Sequence, residues 1–261
     1  MEKKELEKTR SLKVVKDTDF IQKVSYNLTA NEQKLIIYCI ASITPSDKTL
    51  HWINIKVSDF CEVCGIDKNH FYTDFKTLIE NLDNKTYWIE NEEKLFRFRW
   101  FSEIEYIKGS GTIKLLLNSN LSRYLIGLQT RYTKYELYNI LALKSRYSIR
   151  LYEIFKSYKY ANRKKEVIEL SLEEIKAQIG ADSKSFSNFA ELKRRVIDRS
   201  IAEINKYTDI YVSYEIGKKD RKKVLTLIFT IAEKSPYQGA LSLHNTLKAL
   251  DKPEESDDYY V

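Results

Sequence analysis

Two stretches of the sequence repeat one order of elements, and they predict an α+β fold of two tandem winged-helix domains related by duplication. Residues 55–65 align with residues 170–180, because each stretch is an alternating strand and a short helix that ends at a glycine, Gly65 or Gly180. In both copies a long helix and two strands come next, which completes the order of a winged helix. Chance occurrence of two common motifs is the alternative, and the shared order disfavours it.

The composition is typical of a globular protein with a polyanionic partner. The chain has 261 residues, of which 43% are hydrophobic, so two modest domains can each bury a core. The net charge of +7 suits a nucleic-acid partner, although net charge alone is a weak argument. The N-terminus lacks the apolar core of a secretory signal, and no apolar run approaches the length of a membrane span. We therefore expect a cytoplasmic protein without a membrane partner.

Four parts are predicted along the chain. Residues 1–12 are charged and expected to be flexible, 13–130 form the first winged-helix domain, 131–234 form the second, and 235–261 form an acidic, disordered tail. Elements predicted in the first domain are an edge strand or docking loop at 13–21, a helix capped by Thr29 and ended by Pro45, a strand at 51–57, helices at 58–65 and 71–84, and strands at 94–107 and 112–117. Elements predicted in the second are a helical region at 135–160 that divides near Ser145, a strand and a helix within 167–180, and a basic helix and hairpin over 188–231.

The basic helix of the second domain has one apolar face and one charged face. Asn188 and Glu191 have the spacing of a helix cap. Lys193 falls near the middle of the apolar face, so its ammonium must extend along the surface or contact a group at the helix end. On a helical wheel the apolar face contains Phe189, Leu192, Val196, Ile197, Ile201 and Ile204, and the opposite face contains Arg194, Arg195, Asp198 and Arg199.

A strongly basic turn at 217–223 lies between the two strands that follow this helix. Helix, strand, basic turn and strand are the layout in which a winged helix presents a helix to the major groove and a hairpin to the backbone of DNA. A solvated helix beside a solvated hairpin is the alternative. Residues 184–223 contain eleven basic and six acidic side chains, whereas the matching residues 71–114 contain seven and eight. Because phosphate contacts dominate affinity for duplex DNA, we expect the second domain to carry most of the binding and the first to serve protein contact or auxiliary DNA contact.

The predicted DNA-binding residues come from the basic helix, the turn and one earlier helix. Arg194 and Arg195 face outward in the first turns of the basic helix, the end that enters the major groove in helix-turn-helix proteins. The cations of the turn suit phosphates or the minor groove, with plain solvation as the alternative, and Arg150 has an internal ion pair with Glu153 as its alternative. The full set is Lys193, Arg194, Arg195, Arg199, Lys218, Lys219, Arg221, Lys222, Lys223, Arg146 and Arg150.

Motifs of DNA-cleaving or nucleotide-hydrolysing enzymes are missing from the sequence. His51, His70 and His244 form no His-x-His pair, none has an arginine three residues later, and there is no Gly-x-x-x-x-Gly-Lys loop. The pair Cys61-x-x-Cys64 is half of a zinc site without a second pair, so buried reduced cysteines are the favoured interpretation. We therefore predict a protein that is not an enzyme, with no catalytic residues, no metal and no cofactor.

Several segments, in their order and spacing, are specific enough to identify a family: 27–29 with 32–35, 147–155, 189–197, Ile204-Asn205 and Tyr207-Thr208-Asp209-Ile210. In these segments the chain resembles the replication initiator proteins of iteron-containing, theta-replicating plasmids, which have two related winged-helix domains. The resemblance covers roughly residues 13–234. Arg199 departs from the family pattern, in which a proline often stands at that position and would bend or restart the helix. The acidic tail has no clear counterpart.

The resemblance implies a function and a set of partners. Such proteins bind short repeated sites in the double-stranded DNA of a plasmid origin, help to melt the adjacent duplex, and bring in the host initiator and the replicative helicase. Many form a homodimer through the first domain, in equilibrium with the monomer, and repress their own gene as dimers. A winged-helix transcriptional repressor without an initiator role remains the alternative.

Overall fold

The first winged-helix unit is preceded by a short helix, a strand and a second short helix at the N-terminus. The computed structural model describes residues 1–90, 94–159, 163–181 and 186–251 of the chain. Across these residues no helix is long and apolar enough to cross a bilayer. The elements of the first half are α1 (Lys3–Arg10), β1 (Lys13–Asp17), α2 (Thr18–Lys23), α3 (Ala30–Ala41), β2 (Ile53–Lys56), α4 (Val57–Cys64), α5 (Lys68–Asp83), β3 (Thr86–Glu90), β4 (Leu95–Arg99), β5 (Phe101–Ile107), β6 (Thr112–Leu117) and α6 (Ser122–Leu125).

The second unit repeats the three-stranded sheet and the helices of the first, and it ends with an additional helix. Within its described residues it has no counterpart of the β3-β4 hairpin after its long helix. Its long helix contains a π-helical turn, Lys193–Ile197, between two α-helical parts. The elements of the second half are β7 (Tyr132–Glu136), α7 (Tyr138–Leu141), α8 (Arg146–Tyr158), β8 (Lys165–Ser171), α9 (Leu172–Ile179), α10 (Phe189–Leu192), α11 (Asp198–Tyr207), β9 (Ile210–Ile216), β10 (Lys219–Asp220), β11 (Lys223–Val224), β12 (Thr226–Glu233) and α12 (Pro236–Asp251).

The two units share sheet topology and helix geometry. The antiparallel sheets have the orders β2-β6-β5 and β8-β12-β9, so the equivalent strands occupy equivalent places. Both α4 and α9 end at a left-handed glycine, Gly65 with φ 64° and ψ 38° and Gly180 with φ 64° and ψ 39°. A residue without a Cβ adopts this conformation at low cost, which explains why both copies have glycine there. The predicted pair of tandem winged-helix domains is confirmed.

Strand pairing and helix packing join the two units into one interior. β1 pairs with β7 in antiparallel register from Lys13 opposite Glu136 to Asp17 opposite Tyr132. Ser145 caps α8, since its side chain accepts a hydrogen bond from the Tyr147 backbone nitrogen, and this agrees with the predicted division near Ser145. α8 packs against α2, α3 and α11, and most of its residues are buried. The predicted boundary at 130/131 therefore lies just before a strand that pairs with the first domain.

The two chain ends differ from the sequence prediction. Residues 3–10, expected to be flexible, form α1, and the buried Arg10 donates hydrogen bonds to the carbonyl oxygens of Val63 (3.1 Å) and Glu62 (2.8 Å). Much of the tail expected to be disordered forms α12, with Thr246 and Leu250 buried. Both helices depend on contacts with distant residues, which local composition does not indicate. The most acidic part of the tail, 252–261, lies outside the described residues.

Candidate nucleic-acid interface

The basic helix extends from Phe189 to Tyr207 as α10, the π-helical turn and α11. The Asn188 side chain accepts a hydrogen bond from the Ala190 backbone at 2.8 Å, so the predicted cap residue is confirmed. Phe189 and Ile201 are partly buried and pack against the core. Of the predicted apolar face, Leu192, Val196, Ile197 and Ile204 are fully buried. This face holds the helix on the domain and leaves the charged face toward solvent.

A second contact fixes the helix to the strand that leads into the basic turn. The Asn205 side chain accepts a hydrogen bond from the Val212 backbone nitrogen at 2.7 Å and donates one to the Val212 carbonyl oxygen at 2.8 Å. These two bonds satisfy both backbone groups of one residue in β9. The C-terminal half of the helix is therefore held at a defined position on the strand.

The arginines of the charged face lie at the surface with acidic or aromatic neighbours. Arg194 is 70% exposed in its side chain, and its Nη2 donates a hydrogen bond to Glu191 at 2.8 Å. The guanidinium of Arg195 lies 5.6 Å from the ring centre of Phe186. Arg199 Nε lies 3.6 Å from Glu203. The Arg194–Glu191 pair is exposed on both sides, and such an ion pair contributes little to stability and is readily exchanged for a phosphate.

Lys193 occupies a different environment from the other cations of the helix. Its Nζ donates a hydrogen bond to Asp198 Oδ2 at 2.7 Å, and this bond is the largest of the effects that raise the pKa of the lysine. The ammonium also lies 5.8 Å from the ring centre of Tyr214. A regular helical wheel places Lys193 on the apolar face, but the π-helical turn brings its ammonium to the carboxylate of Asp198 instead.

The wing is a short hairpin formed by β10 and β11 at the end of the β9–β12 pair. Arg221 adopts a left-handed backbone with φ 51° at its turn. The ammonium of Lys218 lies 3.9 Å from Glu169 Oε1, on the far edge strand of the sheet. All five cations predicted for this segment are exposed: Lys218, Lys219, Arg221, Lys222 and Lys223. The wing therefore presents a cluster of positive charge at the surface.

Arg150, predicted to contact DNA, is wrongly assigned. Its side chain is buried, with 2% of the residue exposed. Nε donates to the Gln178 carbonyl oxygen at 2.9 Å, and Nη2 donates to the carbonyl oxygens of Val24 (2.9 Å) and Ile21. Buried guanidinium groups with this many carbonyl partners stabilise the interior and have no surface to offer a phosphate.

Glu153, the alternative partner of Arg150, is held by other groups. It forms a buried ion pair with Lys16 and accepts a hydrogen bond from the Tyr135 hydroxyl. Burial is the largest effect on the pKa of Lys16 and lowers it. The pair joins β1 to α8, so it belongs to the interior shared by the two units.

Arg146 lies at the same junction and is only partly buried. It donates hydrogen bonds to the Asn27 side chain and, at 2.6 Å, to the Tyr147 hydroxyl, and its guanidinium lies 4.6 Å from the ring centre of Tyr147. These contacts tie the start of α8 to the segment before α3. A DNA contact by Arg146 stays a prediction.

The cysteines are buried in the first unit. Cys61 and Cys64 lie within α4, and burial is the largest effect on the Cys64 thiol, raising its pKa to about 12. A thiol with so high a pKa is protonated at neutral pH and is a poor nucleophile. No group of three or more potential metal ligands occurs in the part of the chain that the structure describes.

Comparison with known proteins places this architecture in a family. The chain is 24% identical over 213 residues to the replication initiation protein of Escherichia coli, a match that covers 79% of the chain and 65% of that protein. It is 28% identical over 150 residues to the PI protein of Escherichia coli, covering 52% and 49%. The chain thus spans less than two thirds of either relative.

A solved structure has the same fold. The crystal structure of the Pi initiator protein in complex with iteron DNA superposes with a TM-score of 0.72 at 20% identity, covering 87% of this chain and 99% of that one. The family model described as "Initiator Replication protein, WH1" matches residues 13–156, beyond the predicted boundary at 130/131, and "Initiator Rep protein, WH2" matches residues 171–231. The chain therefore belongs to the family of initiator replication proteins with two winged-helix domains, WH1 and WH2.

Proposed function

We propose that the chain is a sequence-specific duplex-DNA-binding protein that initiates plasmid replication by binding repeated origin sites. The observation that carries the proposal is the exposed wing of five cations next to a helix whose apolar face is buried, whose Arg194 is exposed and whose Arg195 and Arg199 are partly exposed. Membership in the initiator family and the fold shared with a protein crystallised on iteron DNA support it.

In the proposed mode of binding, the helix and the wing have different tasks. Arg194 and Arg195 enter the major groove, where an arginine can donate two hydrogen bonds to a guanine edge or hold a phosphate. The wing cations neutralise phosphates and release counterions, which supplies affinity that is independent of sequence. Asn205 and its bonds to Val212 keep the two parts in fixed relation during docking.

The test replaces both groove arginines, Arg194→Ala plus Arg195→Ala. We expect specific binding to duplexes carrying the repeats beside the gene to fall by at least about thirtyfold, since each base-contacting arginine contributes about 1–3 kcal/mol and about 1.4 kcal/mol is tenfold in affinity. Fluorescence anisotropy measures the affinity, and circular dichroism checks the fold. Lys4→Ala plus Lys8→Ala is the matched control, because it removes the same charge from exposed positions of α1. Equal loss in both variants, or unchanged affinity in the first, contradicts the assignment.

Self-association is assigned in this proposal to the first domain. β5 is an edge strand of the sheet β2-β6-β5, and it exposes Tyr106 (48%) and Ile107 (40%). An exposed edge strand with apolar side chains is suited to pairing with a second copy. We expect Ile107→Lys to shift the monomer–dimer equilibrium toward monomer in analytical ultracentrifugation. Val167→Lys, at a position 59% exposed on the edge strand β8 of the second sheet, is the control. If only Val167→Lys abolishes the dimer, self-association belongs to the second domain and the assignment to the first is wrong.

Recruitment of the host initiator and helicase, and repression of the chain's own gene by the dimer, complete the proposal. A repressor without an initiator role has the same architecture, so a functional assay must separate the two. We expect the gene and its adjacent repeats to support replication of a selectable circle that has no other origin. A circle that fails to replicate, while the protein still represses a reporter from the same DNA, would favour the repressor.

A further inference from the structure

A backbone irregularity brings together three side chains in the middle of the basic helix. The backbone N–H of Asp198 donates to the Lys193 carbonyl oxygen, a bond between residues five apart that defines a π-helical turn. On a regular α-helix, residues five apart lie about 140° from each other around the axis, too far for a side-chain pair. In this turn they lie on one side, and Lys193 Nζ reaches Asp198 Oδ2 at 2.7 Å.

Tyr214 completes the group from the neighbouring strand. Its hydroxyl donates a hydrogen bond to Asp198 Oδ1 at 2.5 Å, so both carboxylate oxygens of Asp198 have a partner. Its ring packs 5.9 Å from the ring of Phe229, a fully buried residue of β12. Tyr214 lies in β9, the strand that leads directly into the wing. The group therefore ties the π-helical turn, the core and the base of the wing together.

We propose that Lys193, Asp198 and Tyr214 form a positioning clamp that sets how Arg194 and Arg195 are presented to DNA, and that Lys193 is not itself a DNA contact. This inference rests on the proposed function. Arg194 and Arg195 lie inside the π-helical turn whose ends the clamp joins, so loss of the clamp allows the turn to relax toward regular helix. Such a change rotates the two arginines about the helix axis relative to α11.

The charges of Lys193 and Asp198 are consistent with a role in positioning rather than in attracting DNA. Lys193 and Asp198 neutralise each other, so together they add little to the long-range attraction of DNA. Their side chains are 44% and 43% exposed, and a surface ion pair of this kind contributes little to folding stability. The contribution assigned to them is the orientation of neighbouring residues.

The decisive variant is Asp198→Asn, because the two explanations of Asp198 predict opposite changes in the affinity for the specific duplex. If Asp198 acts only through its charge, removing an acid from a DNA-binding helix strengthens binding to every duplex. If it holds the clamp, affinity for the specific site falls by about tenfold, the loss expected when one base contact is misplaced, while affinity for non-specific duplex does not fall. The probes are a duplex selected by the wild-type protein from a random-sequence library and a duplex of unrelated sequence.

Two further variants separate loss of the clamp from loss of the Asp198 charge. Tyr214→Phe removes only the hydroxyl and should reduce specific affinity in the same direction, and its combination with Asp198→Asn should lose no more than the larger single effect. Asp220→Asn, at an exposed acid of the wing, is the matched control and should bind both duplexes at least as tightly as wild type. Unchanged thermal denaturation shows that each variant is folded.

Lys193→Met tests the remaining part of the inference. A phosphate contact contributes about 0.9 to the slope of log K against log salt, so loss of such a contact would lower the slope by about one. We expect the slope on non-specific duplex to stay unchanged for Lys193→Met. A reduced slope, or tighter specific binding by Asp198→Asn, overturns the clamp. A wild-type protein that selects no duplex from the library overturns the proposed function itself.

Discussion

At the scale of single residues, burial decides which arginines are available to DNA. Arg150 and Arg194 both lie in helices with many apolar residues. The guanidinium of Arg150 is nevertheless enclosed by backbone carbonyl groups, whereas that of Arg194 is mostly exposed. The partners of Arg150 come from α2, from the residue that follows it, and from α9, and they include Ile21, Val24 and Gln178. Arg150 thus joins the two winged-helix units from inside.

Arg150→Met should destabilise the protein without altering its contacts with DNA. The substitution preserves most of the side-chain volume and leaves several buried carbonyl oxygens without a charged donor, which costs about 3 kcal/mol. Urea denaturation measures the loss, and Arg194→Met, at an exposed position, should change the free energy of unfolding by less than about 0.5 kcal/mol. The salt dependence of DNA binding should stay the same for Arg150→Met. A reduced slope would return Arg150 to the DNA-binding set.

Gly180 illustrates how one missing side chain brings two units into contact. Its φ is 64°, and a Cβ at this position would lie 2.6 Å from the carbonyl oxygen of Tyr26. Gly109 also has a positive φ, 74°, but has open space around it. Gly109→Ala therefore incurs only backbone strain, about 1 kcal/mol, whereas Gly180→Ala adds a clash with a backbone atom and should cost about 2 kcal/mol more. Thermal denaturation of the two variants provides the comparison. An equal loss of stability in both would show that the backbone at Tyr26 moves away from the added Cβ without cost.

At the scale of elements, the salt dependence of DNA affinity should distinguish the contribution of the wing from that of the basic helix. If about six phosphates are contacted, log K should fall with log salt at a slope near −5. Lys222→Ala plus Lys223→Ala should reduce the magnitude of this slope by about two, equally on specific and non-specific duplex, because phosphate contacts carry no sequence information. Titration at several salt concentrations gives the slopes, with Lys4→Ala plus Lys8→Ala as the control. A slope unaffected by the wing variant would mean that the wing is only solvated.

At the scale of the whole molecule, α12 connects the two units. Near its start, the ammonium of Lys234 donates hydrogen bonds at 2.7 Å to the carbonyl oxygens of Asn205 and Thr208 at the end of the basic helix, and burial lowers the pKa of this lysine to about 8. At its end, Leu250 lies against Gly65, where an added Cβ would come within 2.8 Å of its backbone. α12 therefore spans from the DNA-binding unit to the first unit.

Truncation after Ser235 should loosen both units at once. Loss of the buried Leu250 and of the Thr246 hydrogen bond to the Tyr207 carbonyl oxygen should cost roughly 3 kcal/mol. We expect faster hydrogen exchange in α1, α4 and the last turn of α11. Truncation after Asp251 removes only the acidic segment and is the control. Exchange that increases in one unit alone would show that α12 belongs to that unit and does not connect the two.

Patterns within short stretches of sequence were sufficient for much of the candidate interface. The apolar positions of the basic helix, the cap at Asn188 and the basic turn all depend on neighbours a few residues away, and each prediction agrees with the structure. The paired C-terminal glycines, Gly65 and Gly180, similarly revealed the duplication, because left-handed backbone restricts the choice of residue.

The sequence by itself determined the two-domain winged-helix plan and the location of its positive charge, since periodicity, capping and charge are local properties. Only the tertiary structure decided that Arg150 is interior, that α1 and α12 are ordered helices, and that Lys193 is paired with Asp198. Each of these depends on groups distant in the chain or on a π-helical turn that a regular wheel does not represent. Burial and backbone register arise from packing, and packing is set by the whole chain.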